Sequence, residues 1–365
     1  MNNDIKIINL ASIIYGMYTK TEVLEKLVYD TYSNSSIQNA TNLNIYVDLN
    51  SAMHALYSEH NRIVYNNITD LSSGLINMCA HYRHYFRSLS VNTRFFLINS
   101  LNTCDINRKL VPEYNNTFFA KTQITKTNKL IDNNMALLKI LCPYLPGIYY
   151  IDSVQQFETS VIIAHLIETL NDGNPNLIIS RDIYPFQLTA LYPYTSYLRP
   201  KKDNMHKLDK SYMFPINEKP NYREEFWNAV SKERNINKER NSTDLSKISP
   251  LNFALFCALS KLPERSLLPL SAIPTALKTV YNMVGSEDIK INYNQIMTDP
   301  NITDKYPYGL VDARYKAIDV QYMLPYYRNT PEAKNIQLLD LEDAPAVNRI
   351  SSKYYINNPL DLLRL

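Results

Sequence analysis

Four short apolar runs, each closing on an acid or an amide, constrain this chain more than any other feature. They are LNIYVD from Leu43 to Asp48, TRFFLI from Thr93 to Ile98 with Asn99 behind it, GIYYI from Gly147 to Ile151 before Asp152, and Asn176–Ser180 with Asp182 just beyond. Near-continuous apolar character over five or six residues predicts strands buried on both faces, the pattern of parallel sheets. Between the runs lie stretches with helical spacing, Leu71–Leu89, Asn133–Leu141 and the segment after Glu158. Strands alternating with helices predict an α/β fold, a parallel sheet with helices on both faces. Functional groups of such sheets gather outside the carboxyl ends of the strands. Asp48, Asn99, Asp152 and Asp182 all fall there.

Composition narrows the class. A chain of 365 residues with 45% hydrophobic and 20% charged residues can bury a sizeable core, which fits a soluble globular protein. The net charge of +3 gives no global case for nucleic-acid binding, so any such case must be local. No apolar run is long enough to span a bilayer, and the amino-terminal MNNDIKIINL reads poorly as a signal peptide, so an intracellular, cytoplasmic protein without a membrane partner is expected, in the host cytoplasm or the virion if its origin is phage or viral. Cys79, Cys104, Cys142 and Cys257 are far apart, without metal-ligand spacing, and read as reduced thiols. Abundant Asn, Ile, Lys and Tyr against six glycines is the mark of an AT-rich genome, from a low-GC bacterium, its phages or a virus.

Five regions are expected. Residues 1–42 form a helical extension and 43–198 the α/β core. Residues 199–249 hold twelve Lys/Arg against eight Asp/Glu between Arg199 and Lys247, and read as a solvated connector. Residues 250–285 read as two helices around a turn, SKLPERSLLPLSAIP, and 286–365 as a Tyr- and Pro-rich remainder with short helices.

The chemistry centres on Phe157–Leu188. Glu158 opens a helix and Asp182 follows a strand, so the two carboxylates can meet Asp48 at one sheet edge. Hard oxygen ligands in such a cluster suit Mg²⁺ or Mn²⁺. Each acid also has a plainer reading: Asp48 and Asp182 as helix caps at strand–helix junctions, Glu158 as a first-turn acid favoured by the helix dipole. His165 reads as a core or boundary histidine. His81, Arg83, His84 and Arg87 read as a solvated helix end. Between Arg108 and Lys129, the basic residues Arg108, Lys109, Lys121, Lys126 and Lys129 interleave with Tyr114, Phe118 and Phe119, a mixture suited to single strands. A surface loop explains the same mixture.

The order of IYVDLNS, FFLINS, an irregular basic segment, QFETSVIIAHL and LIISRDIYPFQL resembles the flap endonuclease and 5′→3′ exonuclease family. The resemblance continues in ALSKLPERSLLPLSAIPTALKTV, which is similar to that family's helix–hairpin–helix segment. It covers about 240 residues, Leu43 to Gly285. It implies a PIN-like core, a divalent-metal site and a nucleic-acid partner, DNA or RNA. Carried over residue by residue, it makes Asp48, Glu158 and Asp182 the catalytic and metal-binding set. It places the 108–129 segment where the family has a helical arch, and Lys278 on the element that grips duplex backbone. The departures are specific. Asn99 stands for a strand Asp, Ser160 and Val161 for the paired Asp of EADD, and Tyr184 for the second Asp of D-x-D. No glycine occurs between Gly173 and Gly285 to let the hairpin backbone approach phosphate.

The resulting expectation is a catalytically degenerate homologue retained for nucleic-acid binding or as an assembly or structural protein. Its metal would be one Mg²⁺ or Mn²⁺ at most. The alternatives are a working metal-dependent 5′ nuclease with a reduced site, and a protein-interaction module without nucleic acid.

Overall fold

The computed structural model describes residues 42–53, 70–88, 91–100, 105–114, 125–153, 157–180, 182–199, 212–214, 222–233, 244–260, 267–336, 338–339, 341 and 344–354. Of the predicted helical extension at 1–42, residues 1–41 lie outside them and Asn42 begins the first strand.

Six strands form one sheet in the order β3-β2-β1-β4-β5-β6. They are β1 (Asn42–Asp48), β2 (Asn92–Ser100), β3 (Ile148–Ser153), β4 (Asn176–Ile179), β5 (Thr195–Arg199) and β6 (Tyr212–Phe214). The first five pair in parallel, and β6 runs antiparallel along β5. The predicted parallel α/β sheet is thus present, with the four predicted strands in place. From β1 the chain builds outward to β3, then returns to lay β4 on the other side of β1. In open α/β sheets such a reversal leaves a crevice at the carboxyl ends of the two flanking strands. Asp48 ends one of these strands and Ser180–Asp182 follows the other.

Side chains alternate across the sheet, and each face has its own core. One face carries Tyr46, Phe96, Ile98, Ile178 and Tyr197. Against it pack α4 (Thr159–Leu170), α5 (Phe186–Leu191), α6 (Tyr222–Glu233), α7 (Phe253–Leu259) and α8 (Ile273–Val284), with the helices that follow α8. The other face carries Ile45, Val47, Phe95, Leu97, Leu177 and Ile179. It is covered by α1 (Asp70–Ser88), α3 (Thr125–Leu141) and α14 (Ala344–Tyr354). Helix α2 (Asp105–Leu110) lies on the first side, against α11 (Tyr308–Ile318).

Two findings depart from the sequence reading. The connector is not solvated throughout: Trp227 and Phe226 of α6 are fully buried, and the Trp227 indole N–H donates to the Ile248 carbonyl at 2.8 Å. Its apolar residues Tyr222, Phe226, Trp227 and Val230 recur at helical spacing within a charged background that hides them. Arg83 does not belong to a solvated helix end. It is buried, donates to the Pro146 carbonyl at 2.6 Å and lies 5.8 Å above the Phe95 ring. The next residue, Gly147, has φ +62°, and a Cβ there would stand 3.1 Å from the Arg83 guanidinium, so glycine is required. Exposed His84 and Arg87 do match the solvated reading.

The region after 286 shares the main core. Besides α11 it contains α9 (Tyr293–Thr298), α10 (Pro300–Thr303), α12 (Val320–Arg328) and α13 (Pro331–Lys334), and α12 packs along α4. Gln187, in the first turn of α5, clamps this region. Its amide donates to the Tyr184 and Ile318 carbonyls at 3.2 and 3.1 Å and accepts from the Val320 N–H at 3.0 Å. A buried amide with all its partners supplied holds one geometry, since each unmade bond would cost about 1–3 kcal/mol.

Candidate functional site

Strand β1 runs straight into a helical turn at 49–53, and Asp48 caps that turn. Its Oδ1 accepts from the Ser51 N–H at 3.2 Å. Its Oδ2 accepts from two hydroxyls, Ser51 Oγ at 2.6 Å and Ser180 Oγ at 2.8 Å. Only 5% of Asp48 is exposed. Burial pushes its carboxyl above the ordinary carboxylate range, and the charge of Asp182 adds to this, while the Ser51 and Ser180 hydrogen bonds pull the other way. Ser180 is a relay: it donates to Asp48 and accepts from the Asp182 N–H at 3.0 Å. The Asp182 carboxylate in turn accepts from the Tyr184 N–H at 3.3 Å, an Asx turn that leads the chain into α5. The Tyr197 hydroxyl shares its one proton between the Ser180 carbonyl, at 2.7 Å, and that of Asp182.

Glu158 is the N-cap residue of α4 and is buried, but its side chain caps nothing. Its Oε1 accepts from the Tyr114 hydroxyl at 2.8 Å. Beside it, Thr159 Oγ1 and Ser100 Oγ are 2.6 Å apart, and the Asn50 amide donates to the Ser100 carbonyl. The three predicted acids thus stand along one carboxyl edge of the sheet, in two sets of bonds: Asp48 and Asp182 joined through Ser180, and Glu158 beside the Asn50–Ser100–Thr159 set. Sequence reasoning missed these hydroxyls, because single serines and threonines carry no signal of a long-range bond.

Strand parity corrects one correspondence. Ile98 points to the face of α4, so Ser100 does too, and Asn99 points away. The residue of β2 beside the site is therefore Ser100, not Asn99. On the opposite face, Asn99 pairs in register with Asp152. Its amide donates to Asp152 Oδ1 and to the Tyr150 hydroxyl, both at 3.0 Å. Lys139 completes this cluster, 2.6 Å from Asp152 Oδ2. Asp152 is thereby excluded as a replacement ligand for the first face.

The departing positions are core. Val161 is buried, Tyr184 is buried with its ring edge-on to Tyr114 at 6.5 Å between centroids, and the buried Ser160 Oγ has no partner among the described residues. His165 is the boundary histidine expected, packed against Tyr327, and burial lowers its pKa.

The predicted nucleic-acid residues with described side chains, Arg108, Lys109 and Lys278, lie on two helices, α2 and α8. Tyr114 is a correction: it is 1% exposed and serves Glu158 rather than facing a strand. Arg108 is half-buried with its Nε 3.2 Å from the Tyr114 carbonyl, whereas Lys109 is exposed at the end of α2. Lys121, Phe118 and Phe119 lie outside the described residues. Lys126 and Lys129 fall on the first turns of α3, with their side chains outside the described set. Lys278 is exposed on α8.

The donor set does not fit a two-cation clamp. Asp48 is enclosed by hydroxyls, Glu158 is bonded to a tyrosine, and an orphaned hydroxyl, Ser160, stands where an acid would be needed. Among the described residues, no group of three or more His, Cys, Asp or Glu side chains is arranged to hold a metal ion.

No protein-family model matches the chain. No curated protein matches it by sequence. Among solved structures, the chain is similar to a bacteriophage T5 flap endonuclease pseudo-enzyme in complex with product DNA and metal ions. The identity is 14% and the TM-score 0.48, over 89% of this chain and 100% of that one. It is also similar to a T5 5′-exonuclease with bound zinc, at 13% identity and a TM-score of 0.46, over 88% of this chain and 98% of the other.

Proposed function

We propose that this chain has the PIN-like architecture of a 5′ nuclease whose metal site has been replaced by a hydroxyl network, and that it serves as a nucleic-acid-binding or assembly protein of phage or viral origin. One observation carries the reading: the Asp48 carboxylate, buried at the switch point of the sheet, is held by Ser51 and Ser180. The Ser51 N–H and the two hydroxyls already occupy the oxygen lone pairs that a cation would have to share. The network does structural work instead, tying β1, β2, β4 and α4 together at one edge.

A second reading has one observation of its own. The charge of Asp182 acts on Asp48, so the two carboxylates are neighbours, and a single Mg²⁺ or Mn²⁺ would relieve their repulsion. Cleavage assays with Mn²⁺ on flap, 5′-overhang and single-stranded substrates separate the two. The degenerate reading expects no cleavage; turnover that disappears in Asp182→Asn would sink it. A salt titration of DNA and RNA binding follows, and a protein neutralising several phosphates weakens steeply as salt rises. No affinity even at low salt would leave a protein-interaction module.

A further inference from the structure

The two margins of the sheet are finished differently. At one, β6 is three residues long and runs antiparallel to β5. At the other stands β3, six residues long with the sequence IYYIDS. Among the described residues, only β2 pairs with it. Its register on β2, with the Phe95 N–H donating to the Gly147 carbonyl at 2.9 Å, decides which backbone groups turn inward. Tyr149, Ile151 and Ser153 turn toward β2. The N–H and C=O groups of Tyr150 and Asp152 and the C=O of Ile148 therefore point outward. The Ile148 N–H is taken by the Leu145 carbonyl at 3.2 Å. Outward groups of this kind face water or another chain, because burying them unbonded is costly.

Exposed edges are commonly blunted by proline, by a basic side chain, by a bulge or by shortness. Strand β3 has no proline and no basic residue, and its register runs unbroken from Ile148 to Ser153. Its one charge, Asp152, is neutralised by Lys139 at 2.6 Å. The surface beside the edge is apolar. Tyr144 and Tyr150 are half-buried on the face that carries α3. Ile140, next to Lys139 on α3, is 48% exposed, and so is 51% of Leu341, whose N–H donates to the Pro143 carbonyl at 2.8 Å.

We propose that two copies of this chain join through β3, antiparallel across a twofold axis that passes beside Tyr150, perpendicular to the sheet. The outward groups match themselves in that register. The Tyr150 N–H of each copy donates to the Tyr150 carbonyl of the other, and the Asp152 N–H of each to the Ile148 carbonyl of the other. The Asp152 carbonyl, opposite the Ile148 N–H already bonded at home, stays at the strand end in water. Charge is self-complementary too: each Asp152 falls opposite an apolar Ile148, and the two carboxylates sit at opposite ends of the paired strands, each with its own Lys139. The two Tyr150 rings stand on one face of the joined sheet, where cross-strand aromatic pairs are stabilising. Such a contact is closed, the same patch being used by both copies. It is independent of whether the chain binds nucleic acid.

Sedimentation velocity of the full chain over a dilution series tests this, and a reversible monomer–dimer equilibrium is expected. Tyr150→Pro removes the central donor, an N–H that β2 does not use, and should weaken association about tenfold or more. Tyr150→Phe keeps the backbone and should leave association unchanged. Tyr150→Cys gives a second readout should the proline variant fail to fold. Hydrogen-bonded antiparallel neighbours have Cα atoms about 5.5 Å apart, within disulfide reach, so oxidised glutathione should yield a covalent dimer. Asp152→Cys puts the two thiols at opposite ends of the paired strands and should not cross-link. Melting curves establish that each variant is folded. A monomer at every concentration, association unchanged in folded Tyr150→Pro, or no more cross-linking in Tyr150→Cys than in Asp152→Cys overturns the proposal.

Discussion

The carboxyl edge of the sheet carries two polar clusters on opposite faces, and they solve the problem of a carboxylate in different ways. On the α4 face, Asp48 is buried and satisfied by two serine hydroxyls and a backbone N–H. On the other face, Asp152 keeps a quarter of its side chain exposed and is met by a lysine ammonium and an amide. The first carboxylate is costly to ionise and ties the end of β1 to the residue after β4. The second is a half-solvated ion pair of small energetic weight. A single residue of strand parity separates the two environments.

The largest effect that would sharpen this contrast is expected from Asp48→Ala. It leaves the Ser51 N–H and the Ser51 and Ser180 hydroxyls without their acceptor in a buried site, a loss of about 3 kcal/mol. Chemical denaturation measures it, and a loss below about 1 kcal/mol would mean that the hydroxyls find other partners.

Next in size is a pH effect. Because the folded-state pKa of Asp48 lies above its unfolded value, the native protein binds the extra proton more tightly. The stabilisation is therefore complete below the unfolded value near 3.9 and is lost as pH rises through the folded value. Asp48→Asn carries no titrating proton. The stability advantage of the wild type over this variant should shrink as pH rises from 4 to 7; an advantage that grows would assign Asp48 a depressed pKa and revive the cation reading.

The smallest effect is expected from Lys139→Ala on the opposite face. Exposed pairs contribute about 0–1 kcal/mol, and the difference should fade in high salt. A salt-independent loss as large as that of Asp48→Ala would erase the distinction between the two faces.

Much of this edge was legible in the sequence. The apolar runs fixed β1 to β4, and an acid or amide behind each run marked the carboxyl edge, because strand ends and helix caps have local signatures. Glu158 at the start of α4 follows from the same logic. Parity was not legible: Asn99 and Ser100 are adjacent, and only knowing where β2 lies against β1 decides which one faces α4. Strands β5 and β6 are short and rich in Ser and Tyr, so they lack the apolar run that betrayed the others. Tyr114 was placed in a basic, aromatic loop by its neighbours, whereas its partner Glu158 is 44 residues away. The roles of Ser180 and Ser100 likewise depend on contacts made 132 and 59 residues apart.

The Gln187 clamp has a consequence for how the molecule is made. Its partners, the Ile318 carbonyl and the Val320 N–H, follow it by 131 and 133 residues. The turn that positions Asp182 and Tyr184 therefore lacks its final restraint until the ribosome has released residue 320. Contacts this distant slow folding through the loop closure they demand. A nascent chain ending in the α7–α8 region has its sheet available but the turn behind β4 still unclamped. During that interval the apolar surface later covered by α9 to α13 is open to self-association.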